Sequence, residues 1–264
     1  MWEGYQPQRK GETTMGKILT VTNQKGGTGK STTAAALTAG LSLKGYNVLC
    51  IDMDAQGNLT HSMKGKTNGA SILGVLTGEV KAADAIQRTE NGNIIVSSKA
   101  LAGADAFITD TGKEYRLKES LEGVADEFDY IVIDTPPALG ILTVNALTAC
   151  DSVIIPIQAD IYSLQGVDQL NETIQPVRKY CNNSLKIEGM LLTRFNPRSV
   201  LSREIVDLSA QLAARLGTKL FDAKIREAVA VKEAQILQQS IYDYAPKSNA
   251  AIDYAAFIEE LLNN

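Results

Sequence analysis

The chain has 264 residues, 44% of them hydrophobic and 21% charged, and a net charge of −4. That is enough apolar material for a sizeable core, while the overall acidity argues against binding nucleic acid through bulk charge. Three scattered cysteines (Cys50, Cys150, Cys181) and one histidine, His61, exclude a disulfide framework and a histidine metal centre, and fit a reducing cytoplasm. No run approaches the ~18 apolar residues of a membrane span. Residues 1–14 are polar, contain the one tryptophan, Trp2, and lack the apolar stretch of a secretory signal. The expectation is a disordered extension over 1–14, with Met15 as the natural start of a single domain, 15–264.

In chain order, residues 17–22 form an apolar strand, 23–32 a glycine-rich turn and 33–41 a helix. Strand, turn, helix is the order a phosphate-binding loop requires. Glycines let backbone amides crowd around phosphate oxygens, and the helix N-terminus adds its positive field. Lys30 would reach the phosphates and the Ser31 hydroxyl would ligate Mg2+. Gly26, Gly27, Thr28, Gly29, Lys30, Ser31 and Thr32 are therefore the candidate nucleotide contacts. The standard spacing places a glycine where Gln24 stands, and a second lysine, Lys25, opens the loop.

Residues 46–52 form a second strand, with Gly45 closing the helix before it, and a polar loop follows at 53–58. Short helices are expected at 70–80 and 81–89, a strand at 93–97, and a helix at 115–127 burying Leu117, Leu121 and Val124. Residues 129–134 are a buried strand that Pro136 and Pro137 stop. Then come helix 139–149, strand 152–157, and a helix with Leu164, Val167, Leu170, Ile174 and Val177 inward. Strand 185–193 precedes helix 200–216, whose buried face is Leu201, Ile205, Leu208, Leu212 and Leu216. A short strand at 219–222 and a helix at 248–262, turning Tyr254, Phe257, Ile258 and Leu261 inward, complete the chain. Apolar strands alternating with helices indicate an α/β fold, a doubly wound and mostly parallel sheet covered on both faces. Its chemistry should lie at the strand ends after Thr22, Ile51 and Ile133.

Carboxylates stand at those ends. Asp134 closes the run Tyr130-Ile131-Val132-Ile133, the Walker B arrangement that orients Mg2+. Asp52 and Asp54 flank Met53 and project to one side of an extended chain. Such a pair beside a triphosphate needs a cation to offset it, which points to water activation or metal binding. Asp52 thus joins Ser31 and Asp134 as a candidate magnesium ligand. Between Arg194 and Lys232, eight basic side chains stand against four acidic ones, a local +4 that leaves −8 on the rest of the chain. The asymmetry marks either a polyanion-binding face or solvated helix surfaces.

The stretches 23–32, 51–60 and 130–140 together resemble the ParA/Soj partition ATPases, of the deviant-Walker MinD/ParA superfamily of P-loop ATPases. The likeness continues through 145–151, 155–158, Lys232-Glu233-Ala234 and 244–254, and so runs from about Met15 to the end. The resemblance implies a cytoplasmic, nucleoid-associated ATPase with ATP and Mg2+ as cofactors. It implies a homodimer formed with ATP, binding to nonspecific DNA, and hydrolysis stimulated by a ParB-type centromere-binding protein. Lys25 matches the signature lysine that reaches the partner's ATP; no role for it is evident within its own protomer, because Lys30 already serves the phosphates. Lys30 matches the phosphate-cradling lysine, Ser31 the magnesium ligand, Asp54 the water-positioning aspartate and Asp134 the Walker B carboxylate. Arg198 stands at a position similar to a DNA-contacting arginine; Arg203, Lys224, Arg226, Lys232 and Lys247 are further candidates.

The chain also departs from the family pattern. Ala55 stands where relatives usually carry proline, which implies a looser loop around Asp54. Asp160 and Gln165 stand where glutamate is frequent. A MinD-like regulator would need a basic amphipathic tail to grip a membrane, whereas 257–264 is acidic. An iron-protein type reductase would need cluster cysteines. A nucleotide-gated scaffold positioning another cargo is the remaining alternative.

Overall fold

The computed structural model describes residues 16–263. The expected extension and start, 1–15, lie outside them, as does the Leu201 side chain. Eight strands, β1 (Lys17–Val21), β2 (Val48–Asp52), β3 (Ile86–Thr89), β4 (Gly92–Ile95), β5 (Tyr130–Asp134), β6 (Ser152–Gln158), β7 (Lys186–Phe195) and β8 (Leu220–Arg226), form one sheet. Their order is β3-β4-β2-β5-β1-β6-β7-β8. Every neighbouring pair is parallel except β3 with β4.

Side-chain alternation sorts the core into two layers. On β2, Leu49 and Ile51 join one layer while Val48 and Cys50 join the other; on β5, Ile131 and Ile133 oppose Val132 in the same way. Both faces of each central strand are therefore buried, which is why these runs are apolar throughout.

The connections locate the site. From β1 the chain passes through helix Lys30–Leu43 towards β2 and packs Ala34, Leu37 and Leu41 on one face. From β5 it passes through helix Ile141–Ala149 the other way, to β6, and packs Leu142, Ala146 and Leu147 on the opposite face. Adjacent strands whose crossovers leave in opposite directions open a crevice at their C-terminal ends. The phosphate-type loop and Asp134 both end there.

Local expectations failed where pairing or packing overrode them. Residues 86–89, expected to be helical, form β3, because Glu90 and Asn91 make a two-residue turn that pairs Thr89 with Gly92 on β4. The helix expected at 115–127 spans only Arg116–Leu121; the chain turns at Gly123 and ends in a short 3-10 segment, although Leu117, Leu121 and Val124 are buried. Leu208, expected inward, is 42% exposed. The strand expected at 219–222 extends to Arg226, and two helices, Val229–Ile236 and Ile241–Tyr244, follow it unforeseen. As an edge strand β8 lacks a ladder partner on one side. Carboxylates of the last helix, Asn249–Leu262, stand in for one: Glu260 accepts from the Asp222 and Ala223 amides, and Asp253 from the Arg226 amide.

Candidate functional site

The loop after β1 is held by contacts with its neighbours on the sheet. The Asn23 side chain donates to the Pro156 carbonyl at 2.8 Å and accepts from the Lys25 amide at 3.0 Å. The Gln158 amide group donates to the Gly27 carbonyl, and the Thr193 hydroxyl to the Thr28 carbonyl at 2.8 Å. Gly27 and Gly29 sit at φ 79° and 84°, in the left-handed region where a side chain is strained. A Cβ placed on Gly26 would meet nothing within 4 Å. The loop thus surrounds open space with backbone amides, at the head of a helix of 14 residues. That is the cradle an oxyanion needs. The cleft, about 450 Å³, is lined by Gly26, Gly27, Gly29, Lys30, Ser31, Thr32 and Asp54. A more apolar cavity of about 400 Å³ lies beside helix Val229–Ile236, lined by Ala35, Met63, Val231 and Ile241 among others. Its lining includes no lysine or arginine, so the phosphate chemistry belongs to the first cleft.

Lys30 is 7% exposed and donates to the Lys25 carbonyl at 3.2 Å. Burial lowers its pKa, opposed by the charges of Asp134 and Asp54. Asp134 is fully buried at the end of β5, and neither carboxylate oxygen has a hydrogen bond of good geometry. Burial and the charge of Asp52 push its carboxyl well up, against the Ser31 hydroxyl and the Lys30 ammonium nearby. A buried carboxylate without well-formed hydrogen bonds costs several kcal/mol unless something compensates it. Beside a hydroxyl and an ammonium at an anion cradle, the compensating group that fits is a divalent cation carried with phosphates.

Asp52, expected in the magnesium set, is bonded within its own loop. Its Oδ2 accepts from both the amide and the hydroxyl of Thr60 at 2.7 Å, and its Oδ1 accepts from the Asp54 amide at 3.1 Å. Burial pushes its pKa up to about 6 even so. These bonds make Asp52 the hub of its own loop. Asp54, by contrast, lines the cleft and is 9% exposed.

Lys25 proves to have a partner within its own protomer. Its Nζ donates to both Asp160 oxygens at 2.7 Å and to the Ser163 hydroxyl at 3.4 Å, and lies 5.9 Å from the Tyr162 ring centre. Asp160 also caps helix Ile161–Tyr180 by accepting from the Ser163 amide. Burial opposes its ionisation, but Lys25 and Ser163 outweigh that and hold its carboxyl below the usual range. The two side chains keep 29% and 30% of their surface in solvent. Ion pairs this exposed contribute about 0–1 kcal/mol, so the tether is weak.

Comparison with known proteins agrees with this geometry. The family model described as an AAA domain matches residues 16–187. The sporulation initiation inhibitor protein Soj of Bacillus subtilis is 38% identical over 95% of this chain and 100% of its own length. The chromosome partitioning protein ParA of Myxococcus xanthus is 34% identical over 96% of this chain and 90% of its own. The chain belongs to the ParA/Soj family of ATPases. Among solved structures, the cobyrinic acid a,c-diamide synthase of Mycobacterium smegmatis, bound to an ATP analogue and magnesium, superposes with a TM-score of 0.81 at 34% identity, covering 94% of this chain and 95% of that one.

As a ParA/Soj-type protein the chain also carries the basic candidates, and the structure separates them. Arg226 is held by Asp253 through two bonds, 2.6 and 2.9 Å, and is half-buried. Its charge is already paired. Arg198, Arg203, Lys232 and Lys247 are exposed, Lys224 half-buried, and none forms an ion pair among the described residues. Within the same segment Arg194, Arg215 and Lys219 are paired with Glu227, Asp168 and Glu260. The unpaired ones fall on or beside β7, β8 and the helices next to them. No helix among the described residues is long and apolar enough to cross a membrane.

Sequence reasoning does not single out Asn23, Thr60, Ser97 or Thr193 as site residues, and it marks Asp160 only as a departure from the family pattern. Thr60 falls within the stretch 51–60, but nothing in its local pattern marks it as a hydrogen-bond donor to Asp52.

Proposed function

We propose that the chain is an ATP-dependent, dimerising ATPase of DNA segregation that holds nonspecific DNA as the ATP-bound dimer and releases it on hydrolysis. The observation carrying this reading is the buried Asp134, whose oxygens have no hydrogen bond of good geometry, beside Ser31 and Lys30 at the head of a glycine cradle, in a chain that aligns with Soj over 95% of its own length. ATP with Mg2+ is the ligand, and the bound cation neutralises the phosphate oxygens. Lys30 and the loop amides hold the phosphates, Ser31 and Asp134 hold the cation, and Asp54 orients the attacking water. Lys25 exchanges Asp160 for the partner protomer's phosphates, which couples dimerisation to ATP. Hydrolysis is slow and is stimulated by a ParB-type protein. The exposed cations around β7 and β8 contact DNA phosphates from both protomers, so weak contacts add. The dimer then resides on the nucleoid in the cytoplasm, without a membrane.

The test is binding to a random-sequence duplex with ATP against ADP. ATP should be required, and affinity should fall by about tenfold or more between 50 and 200 mM salt. Arg198→Glu should lose about tenfold in DNA affinity while ATP-driven dimerisation, read by light scattering, persists. Equal binding in both nucleotide states, or loss of dimerisation together with DNA binding in Arg198→Glu, would remove the DNA part of the proposal.

A further inference from the structure

The loop carrying Asp54 is a β-turn. The Gly57 amide closes it on the Asp54 carbonyl at 2.9 Å, with Ala55 and Gln56 in the central positions and Gly57 at φ 66°. The Asp54 Oδ1 accepts from the Gln56 amide at 3.0 Å, the Asx-turn arrangement. The first central position of such a turn is where proline presets the backbone. Ala55 occupies it, and its amide makes no hydrogen bond among the described residues. Beyond those two bonds the turn has no fixed φ at its first central position, and an alanine there leaves conformational freedom that folding must remove.

Restraint comes from across the sheet. Ser97, just beyond β4, donates its hydroxyl to the same Asp54 carbonyl that closes the turn. The Ser97 amide donates to the Thr60 hydroxyl oxygen at 2.9 Å, and Thr60 donates to Asp52 Oδ2. Asp52 Oδ1 accepts from the Asp54 amide. The bonds form a closed ring, Asp54–Ser97–Thr60–Asp52–Asp54, that grips the Asp54 backbone at both its amide and its carbonyl. Ser97, Thr60 and Asp52 are 2%, 3% and 0% exposed, so water does not compete for these bonds. The Asp54 Oδ2 is the oxygen left without a hydrogen bond among the described residues, in a side chain that lines the cleft.

We propose that Ser97 is a positioning residue for Asp54, clamping the Asp54–Gly57 turn to the end of β4 in place of a proline at position 55. The inference rests on Asp54 being the carboxylate that orients water. Removing the Ser97 hydroxyl leaves the Asp54 carbonyl still bonded to the Gly57 amide, so no buried group is orphaned and the fold should persist. What is lost is the placement of Asp54.

The experiment is single-turnover hydrolysis of γ-labelled ATP by the full chain, with nucleotide affinity measured separately. Ser97→Ala should slow hydrolysis about tenfold and change ATP affinity less than about twofold, since misplacement of a reacting group acts on the rate. Adding Ala55→Pro to Ser97→Ala should restore most of the rate, because the proline supplies the missing restraint from within the turn. A Ser97→Ala enzyme at the wild-type rate overturns the proposal. So does a rate and affinity that fall together with the melting temperature and are not restored by Ala55→Pro. Asp54→Ala measured in parallel separates the two levels. If it is inactive while Ser97→Ala is fully active, only the clamp fails; if Asp54→Ala itself runs at the wild-type rate, the role of Asp54 fails and the clamp with it.

Discussion

Asp54→Ala is expected to slow ATP hydrolysis by at least about a hundredfold while leaving nucleotide affinity within about threefold, the pattern of a group that acts on the attacking water rather than on the ligand. Asp54 lines the cleft but accepts no hydrogen bond from the phosphate-loop amides among the described residues, and its backbone is fixed by Asp52 and Ser97. Truncation therefore removes a carboxylate without emptying the phosphate cradle. The Gln56 amide loses its acceptor on Oδ1, but it lies at the edge of the cleft, where water can replace that bond. A protein that binds ATP and cannot cleave it should also accumulate as the dimer on DNA. The check is single-turnover hydrolysis beside equilibrium binding of a fluorescent ATP analogue. Normal hydrolysis in the variant would mean that another group orients the water.

Lys30→Ala should weaken ATP binding by at least about a hundredfold, the cost of truncating one member of a buried, charge-paired group. The charge of the Lys30 ammonium acts on Asp134, and the ammonium is itself desolvated. Without it, Asp134 keeps only the Ser31 hydroxyl beside it, and burial drives its carboxyl further towards the neutral form, which is a poor cation ligand. The loss should thus appear twice, as weaker phosphate binding and as weaker magnesium dependence. Lys30→Arg should not restore binding, because a planar guanidinium does not fit a space shaped for a compact ammonium. Calorimetric titration with Mg-ATP on a variant whose circular dichroism matches wild type is the measurement. Wild-type affinity in Lys30→Ala would sink the assignment of residues 23–32 as the phosphate loop.

Much of this architecture was readable from the residues in order. The apolar runs at 17–22, 129–134 and 152–157 became β1, β5 and β6, because a strand buried on both faces must be apolar at every position. Gly45 closes the first helix at φ 87°, as a left-handed position after a helix requires. Where the chain was less apolar, local pattern misled. Gln87 and Arg88 carry no strand signal strong enough to reveal β3, which exists because β4 lies beside it. The helix expected over 115–127 was interrupted at Gly123, and Leu208 kept its helical spacing but not its burial.

The phosphate loop, Asp54 and Asp134 could be named as candidates before any fold was known, since each lies on or next to a single strand end: strand, glycines, lysine, hydroxyl, or strand, then carboxylate; the separate role expected of Asp54 came from the family resemblance. The partners of Asp52, Lys25, Ser97 and Arg226 depended on the tertiary structure. Asp52 and Asp54 share one loop, yet one is bound by Thr60 and the other lines the cleft; Lys25 meets Asp160 across 135 residues of sequence, and Ser97 meets Asp54 across 43. Arg226 sits in a basic segment but is held by Asp253 on the last helix. Local periodicity and motifs record what a residue is and which way its own strand or helix turns it. Whether a charge is left for a ligand or bonded to a neighbour depends on which distant strand ends are laid side by side, and in a parallel sheet every such neighbour arrives through a crossover from elsewhere in the chain.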